Sequence, residues 1–151
     1  MHKFLFKHID NSGLIVFRII FGLLCFLEAF GAIFTGWVKR VLIEPKFTFS
    51  FIGFEWLQPL PGDWMYAYYV VMAIFALLVM VGYKYRFSMF MFAVMWSATY
   101  LMQKSSYNNH YYLLMLLSFL MVFLPANRYA SLDVKYKPSL KRISMPSWCK
   151  W

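Results

Sequence analysis

The residues best suited to chemistry lie in one polar stretch, Met102 to His110, which separates two strongly apolar segments. Lys104 is its candidate for acid–base chemistry. Because desolvation disfavours an ammonium, a partly buried lysine can exist as a neutral amine and act as a general base. The alternative is a lysine whose stem follows apolar surface and places the ammonium in a polar layer. Composition alone favours this alternative.

Four further residues of the stretch could contact a substrate. His110 could relay a proton or bind a substrate oxygen, or it could simply be a helix-terminal histidine bonded to backbone. Asn108 and Asn109 are typical helix N-cap residues, a simpler interpretation than a direct role with substrate. Tyr107 belongs to the same vicinity. Since no second His, Cys or acidic residue stands at ligand spacing, we predict no metal site.

Two other ionisable residues lie within an apolar segment, where a charge is costly. Arg18 and Glu28 are ten residues apart, roughly 15 Å along a helix, so each needs another partner or water. A Glu28–Lys104 pair is conceivable, but it would keep the lysine charged and oppose the base role. Cys25 is expected to be a small core residue and Cys149 a free thiol in the basic tail, without a disulfide between them.

Composition identifies the surroundings of these residues. Of 151 residues, 62% are hydrophobic and only 14% are charged, too few for a soluble domain of this size to cover its apolar surface. A spanning helix needs about 20 mostly apolar residues. We therefore predict an all-α membrane protein, a bundle of about four transmembrane helices forming a single membrane domain over residues 1–151. The predicted spans are 13–37, 64–82, 87–103 and 108–126, with a basic interfacial tail at 127–151.

The basic residues predict the orientation of the bundle, because Lys and Arg accumulate on the cytoplasmic side. With both termini inside, the inner side holds Lys3, Lys7, Lys84, Arg86, Arg128, Lys135, Lys137, Lys141, Arg142 and Lys150. The outer side then holds Lys39, Arg40, Lys46 and Lys104. The net charge of +9 is thus interpreted as topology and headgroup attraction rather than nucleic-acid binding. The first span is expected to remain as a signal anchor.

The longest predicted connection, Val38 to Asp63, is unusually apolar for an external loop. Five of its residues are aromatic: Phe47, Phe49, Phe51, Phe54 and Trp56. Pro45, Pro59 and Pro61 oppose regular helix. We expect this outer loop to lie along the membrane interface or to pack back onto the bundle.

Four passages together resemble the vitamin K-dependent γ-glutamyl carboxylase family, whose membrane part is also called the horizontally transferred transmembrane (HTTM) domain. They are Arg18 to Gly22, Pro59 to Tyr66, Gly82 to Arg86, and Lys104 to Leu113 continuing to Pro125–Tyr129 and Ser131–Asp133. The last passage is long and specific. The resemblance extends from about Arg18 to Trp148.

This resemblance implies an activity and reverses the preference at Lys104. In the family, a lysine that matches Lys104 deprotonates reduced vitamin K, which then reacts with oxygen. The resulting alkoxide removes a γ-proton from a protein glutamate, and the carbanion attacks carbon dioxide. The resemblance therefore implies a menaquinol-type cosubstrate, a glutamate-bearing protein substrate and a bacterial inner-membrane location, with Lys104 on the outer face.

The chain departs from the family in two respects. Gln103 stands where an Asp commonly precedes the lysine, which changes either the basicity of the lysine or a positioning contact. Family enzymes are also much longer, so we expect a second chain or a C-terminal half to complete the site and little carboxylation by this chain alone. Two other functions remain open. One is a quinone-binding subunit of a membrane oxidoreductase. The other is a non-enzymatic remnant that docks through small residues, namely Ala29, Gly31, Ala32 and Gly36.

Overall fold

The fold is helical, as the composition predicted. The computed structural model describes residues 8–45, 47–142 and 144–146. Its helices are α1 Ser12–Phe34, α2 Trp64–Val81, α3 Tyr85–Met102, α4 Asn109–Phe123 and the short α5 Leu132–Tyr136. Two three-residue strands, β1 His8–Asp10 and β2 Ser144–Pro146, pair antiparallel with His8 opposite Pro146. The sequence pattern did not indicate this strand pair.

Two helices in the described part of the chain, α1 and α2, are long and apolar enough to cross a membrane, with hydropathies of 2.2 and 2.1. Only 33% of the residues in the 18-residue apolar stretch of each helix are buried. Ile20 and Leu24 of α1, for example, are 51% and 58% exposed. Exposed apolar faces of this extent suit contact with lipid rather than water. The helix α4 is apolar but has only 15 residues, and α3 is less apolar.

The four long helices form a row in chain order, in which α1 packs on α2, α2 on α3 and α3 on α4. Gly22 allows the close approach of the first pair, since a Cβ there would lie 2.6 Å from the backbone nitrogen of Met80. Buried Met72, Met89 and Phe92 fill the centre of the row. The helices α1 and α4 are therefore its outer members.

The first helix ends earlier than predicted. It was expected to reach Trp37 but ends at Phe34, because Gly36 adopts a left-handed conformation with φ of 70°. A π-helical turn, Lys39–Ile43, follows and buries Leu42. The fourth helix likewise ends three residues before its predicted end, at Phe123, and the remaining boundaries lie within two residues of the predicted ones.

At the opposite end of the bundle, Asp133 joins the C-terminal segment to the α2–α3 turn. Its carboxylate accepts hydrogen bonds from the backbone N–H of Lys84 at 2.7 Å and of Tyr85 at 3.1 Å, and from the side-chain amide of Asn127 at 2.7 Å. These bonds cap the first turn of α3, whose N-cap residue Lys84 has φ of 41°. We refer to this arrangement as the Asp133 cap.

Arg18 lies beneath this cap and is completely buried. Its Nη2 donates to the carbonyl oxygen of Ala130 at 2.6 Å. The partner of Arg18 is thus a backbone carbonyl in the segment between α4 and α5. Cys25 is buried in the core, as predicted. Among residues used in the sequence argument, Lys3, Lys7, Lys46, Cys149 and Lys150 lie outside the described part of the chain.

Candidate functional site

The polar stretch that contains Lys104 forms the turn between α3 and α4. Gln103 follows the last helical residue of α3 in an extended conformation, with φ of −139° and ψ of 91°. Lys104–Ser106 then form one turn of 3₁₀ helix, and Asn108 caps α4. This abrupt change of backbone direction places the side chains of consecutive residues on different sides of the turn.

The outer loop packs back onto this turn through its backbone. The N–H of Lys104 donates to the carbonyl of Phe49 at 2.6 Å, and the N–H of Phe51 donates to the carbonyl of Leu101 at 3.2 Å. Residues 49–51 thus run beside residues 101–104 and share their hydrogen bonds. The backbone position of Lys104 is therefore fixed by a loop distant in sequence.

Gln103 strengthens this attachment with its side chain, which is buried. Its Oε1 accepts from the backbone N–H of Phe49 at 3.0 Å, and its Nε2 donates to the carbonyl of Val41 at 3.3 Å. A carboxylate could accept the first bond but has no proton to donate in the second. The glutamine is therefore a positioning contact suited to this particular loop.

The exposed part of the outer loop has polar contacts of its own. Gln58 accepts from the hydroxyl of Thr48 at 2.6 Å and donates to the carbonyl of Glu55 at 2.9 Å. Glu55 accepts from the backbone N–H of Gly53 at 2.9 Å, which holds the pKa of that carboxyl below its ordinary value. The loop is thus fastened at its exposed side by Gln58 and at its buried side by Gln103.

The side chain of Lys104 is exposed, whereas the base hypothesis relied on partial burial. Its Nζ lies 5.9 Å from the centroid of the Phe51 ring. Phe51 stacks on Tyr100 at 5.3 Å, and Tyr100 lies 6.2 Å from Tyr107 between ring centroids. Lys104 and Tyr107 therefore share one aromatic rim, and further desolvation of the lysine would have to come from a ligand, lipid or protein that covers this rim.

His110 is oriented by Asn108. The Oδ1 of Asn108 accepts from the backbone N–H of His110 at 2.9 Å and lies 2.8 Å from its ring Nδ1. Because this oxygen is an acceptor, Nδ1 must carry the proton, which leaves Nε2 of a neutral ring free to accept one. Asn108 is thus the N-cap, as predicted, while exposed Asn109 begins α4.

A narrow cleft lies beside this turn, between the outer helices of the row, and its free volume of about 20 Å³ has room for roughly one water molecule. Glu28 and Ala32 of α1 face Tyr111 of α4 across it. Its remaining walls come from α2, α3 and the two connecting segments, namely Trp37, Tyr69, Trp96, Thr99, Tyr100, Gln103 and Ser106. The cleft is thus mainly aromatic and contains one carboxylate.

Tyr111 is at the centre of the aromatic wall. Its ring meets those of Trp96 and Trp37 edge-on, with centroids 5.3 and 6.3 Å away. The indole N–H of Trp96 donates to the backbone carbonyl of Tyr111 at 3.2 Å, which locks α3 to the start of α4. This wall is built from residues on four separate elements.

Lys104 and Tyr107 share the aromatic rim, but none of the predicted site residues Lys104, Tyr107, Asn109 and His110 lines the cleft. Gln103 and Ser106, on either side of Lys104, line the cleft, whereas Glu28 forms no ion pair with Lys104 within the residues described. The sequence argument missed Tyr111, Trp96 and Trp37 as lining residues. Their aromatic character beside the polar stretch was a usable signal, but the helix faces on which they lie were not predicted.

Comparison with known proteins identifies the family of the chain. A family model described as the HTTM domain matches residues 6–151 of the chain. No solved structure matches it. The matched region includes the cleft, the Lys104 turn and the Asp133 cap.

Proposed function

Because the chain belongs to the HTTM domain family, we propose that it is a membrane protein whose outer end binds a reduced naphthoquinone of the vitamin K type. In this proposal it takes part in quinol oxygenation coupled to the carboxylation of protein glutamate. The observation that carries the proposal is the aromatic cleft, whose wall includes Gln103 and Ser106 on either side of Lys104.

The proposed topology is a four-span bundle with both termini inside. At the end where α1 begins, the described residues outside the helix interior include seven basic residues, Lys84, Arg86, Arg128, Lys135, Lys137, Lys141 and Arg142, and two acidic ones, Asp10 and Asp133. At the other end Lys39, Arg40 and Lys104 are balanced by Glu44, Glu55 and Asp63. This asymmetry supports Lys104 on the outer face of a bacterial inner membrane.

The cleft suits a flat, apolar ring. The rings of Trp37, Trp96 and Tyr111 offer both edges and faces for aromatic contacts. Because the cleft is narrow, a naphthoquinone would have to move these side chains apart. Such a site would exclude water from the quinol oxygens.

In the proposed chemistry Lys104 takes the proton of the quinol hydroxyl, with oxygen and carbon dioxide as the other small substrates. A quinol that extends from the cleft to the aromatic rim, with Tyr100 bordering both, would cover the exposed lysine and reduce its hydration. The free Nε2 of His110 can accept a second proton or, once protonated, donate to an anionic oxygen. Tyr107 and Asn109 complete the vicinity. A protein substrate and a second chain or C-terminal half belong to the same proposal.

A second candidate function is a quinone-binding subunit without catalysis of its own. The exposed ammonium of Lys104 above the Phe51 ring favours it, because a hydrated cation can bind the quinone oxygen without removing a proton. In that case Lys104 would contribute to affinity alone.

The deciding experiment compares binding with turnover. The chain would be produced in membranes, alone and with the product of the adjacent downstream reading frame, as wild type, Lys104→Ala and Lys39→Ala. Lys39 is a matched control, since it is exposed at the same end and makes only a 3.7 Å contact with Glu44. Quinone binding would be followed by tryptophan quenching and turnover by the formation of vitamin K epoxide.

Epoxide formation that is lost in Lys104→Ala but kept in Lys39→Ala, with quinone binding retained in both, supports the base role. Quinone binding without epoxide in every sample supports the subunit instead. Absence of quinone binding in the folded wild-type protein overturns the proposal as a whole.

A further inference from the structure

A second groove lies at the opposite end of the bundle from Lys104. It has about 780 Å³ of open space and is lined by Tyr83, Lys84, Asp133, Tyr136, Lys137 and Leu140. It lies between the α2–α3 turn and the segment formed by α5 and the 3₁₀ turn Pro138–Leu140. None of the chemistry proposed above uses it.

We propose that this groove binds the headgroup of an anionic phospholipid of the inner leaflet. The inference rests on the proposed topology, which places this end at the cytoplasmic surface. Lys84 and Lys137 supply two ammonium groups from opposite walls, while Tyr83, Tyr136 and Leu140 supply apolar surface. The phosphate would lie between the two lysines, and the glycerol and the upper acyl chains would lie along the rings. Such a lipid matches both the charged part and the apolar part of the groove.

The acidic residue in the groove does not oppose this charge fully. Both carboxylate oxygens of Asp133 already accept hydrogen bonds, from the backbone N–H groups of Lys84 and Tyr85 and from Asn127. The carboxylate of Asp133 thus bonds to the groups of the Asp133 cap, whereas the side chains of Lys84 and Lys137 are exposed.

The rings of the groove are arranged as a wall. Tyr83 and Tyr136 meet edge-on with centroids 6.2 Å apart, and the Nζ of Lys84 lies 5.9 Å from the Tyr83 ring centroid. Tyr136 is 71% exposed and Leu140 is 39% exposed. Tyrosine beside lysine is the composition that proteins place at the headgroup level of a bilayer. An exposed apolar wall next to two cations fits a lipid better than a fully hydrated anion.

The test uses the purified full chain in detergent and measures bound lipid by native mass spectrometry during titration with phosphatidylglycerol or phosphatidylcholine. The groove variant is Lys84→Asn with Lys137→Gln; asparagine is chosen because it tolerates the left-handed backbone at residue 84. The matched control is Lys135→Gln with Lys141→Gln, which removes the same charge from exposed residues of the same end that do not line the groove.

We expect wild type to prefer phosphatidylglycerol, the groove variant to bind it roughly tenfold more weakly and the control to bind it almost as wild type does. Equal weakening in both double variants would show a diffuse surface field and overturn the site. Equal binding of the two lipids, or displacement of phosphatidylglycerol by inorganic phosphate, would overturn the lipid as its occupant.

Folding is checked by far-UV circular dichroism. If the double variant does not fold, Lys137→Gln alone decides the question, because its backbone is ordinary: unchanged phosphatidylglycerol binding in that variant overturns the site. None of these measurements involves a quinone, so their outcome is independent of the quinol proposal.

Discussion

The side-chain oxygen of Gln103 accepts a hydrogen bond from the backbone N–H of Phe49 at 3.0 Å. The neighbouring N–H of Lys104 donates to the carbonyl of the same phenylalanine. Phe49 of the outer loop therefore donates one hydrogen bond and accepts another, and these two bonds fix the turn that contains the candidate base. This relationship gives position 103 a structural role, whatever its effect on the lysine.

Replacing Gln103 by alanine should loosen the outer loop. The substitution removes two partly buried hydrogen bonds, to the N–H of Phe49 and the carbonyl of Val41, a loss of about 1–3 kcal/mol. Thermal unfolding in detergent would measure the change. Gln58→Ala is the control, because exposed Gln58 holds the same loop and water can replace its bonds; an equal loss in both variants would contradict the role assigned to Gln103.

Asp133→Ala should destabilise the α2–α3 turn. The carboxylate caps two backbone N–H groups and an amide, and its removal is expected to cost about 1–2 kcal/mol. The control is Asp63→Ala, since Asp63 precedes α2 but makes no side-chain cap bond. Chemical denaturation of the two variants would compare them. A similar small change in both would show that the Asp133 cap contributes little.

Gly82→Ala should be much more harmful than Gly36→Ala. The two glycines share nearly the same backbone, with φ of 69° and 70°, so the left-handed strain of roughly 1–2 kcal/mol is common to both. Only at Gly82 would the new Cβ overlap other groups, namely Nη1 of Arg18 and, at 2.5 Å, the Cβ of Ser131. The yield of folded protein and its melting temperature measure the difference. Equal effects would mean that the guanidinium moves aside freely.

Asn108 should determine the tautomer of His110. In the wild type at a pH where the ring is neutral, ¹⁵N NMR should show the proton on Nδ1. Asn108→Ala removes the acceptor and should shift the proton to Nε2. Asn108→Asp retains an acceptor and should keep the wild-type tautomer. A wild-type ring with its proton on Nε2 would refute this assignment and the proposed availability of that atom.

The helical fold could be predicted from the sequence because apolar length is local information. The runs beginning near Ser12, Trp64 and Tyr85 became helices with nearly the expected ends. The early end of α1 was missed because Gly36 was treated as one residue of an apolar run rather than as a stop. Its left-handed backbone and the π-helical turn after it depend on how the outer loop packs.

The site could be predicted only in part, because its walls depend on helix rotation. The Lys104 turn and the Asn108 cap follow from local polarity and capping preference. The cleft requires Glu28, Tyr69, Trp96 and Tyr111 to face one another from four helices, which a chain of nearly uniform hydrophobicity does not encode in its periodicity. The burial of Gln103 likewise depends on a loop more than fifty positions away in sequence.

The shortness of α4 has a consequence for the depth of its first residues. Its 15 residues extend for roughly 22 Å, several ångströms less than a hydrocarbon layer of about 30 Å. In the proposed four-span topology, local thinning of the membrane at α4 would meet this hydrophobic mismatch. Asn109 and His110 would then lie at the floor of a shallow depression, level with the acyl chains of the surrounding lipid.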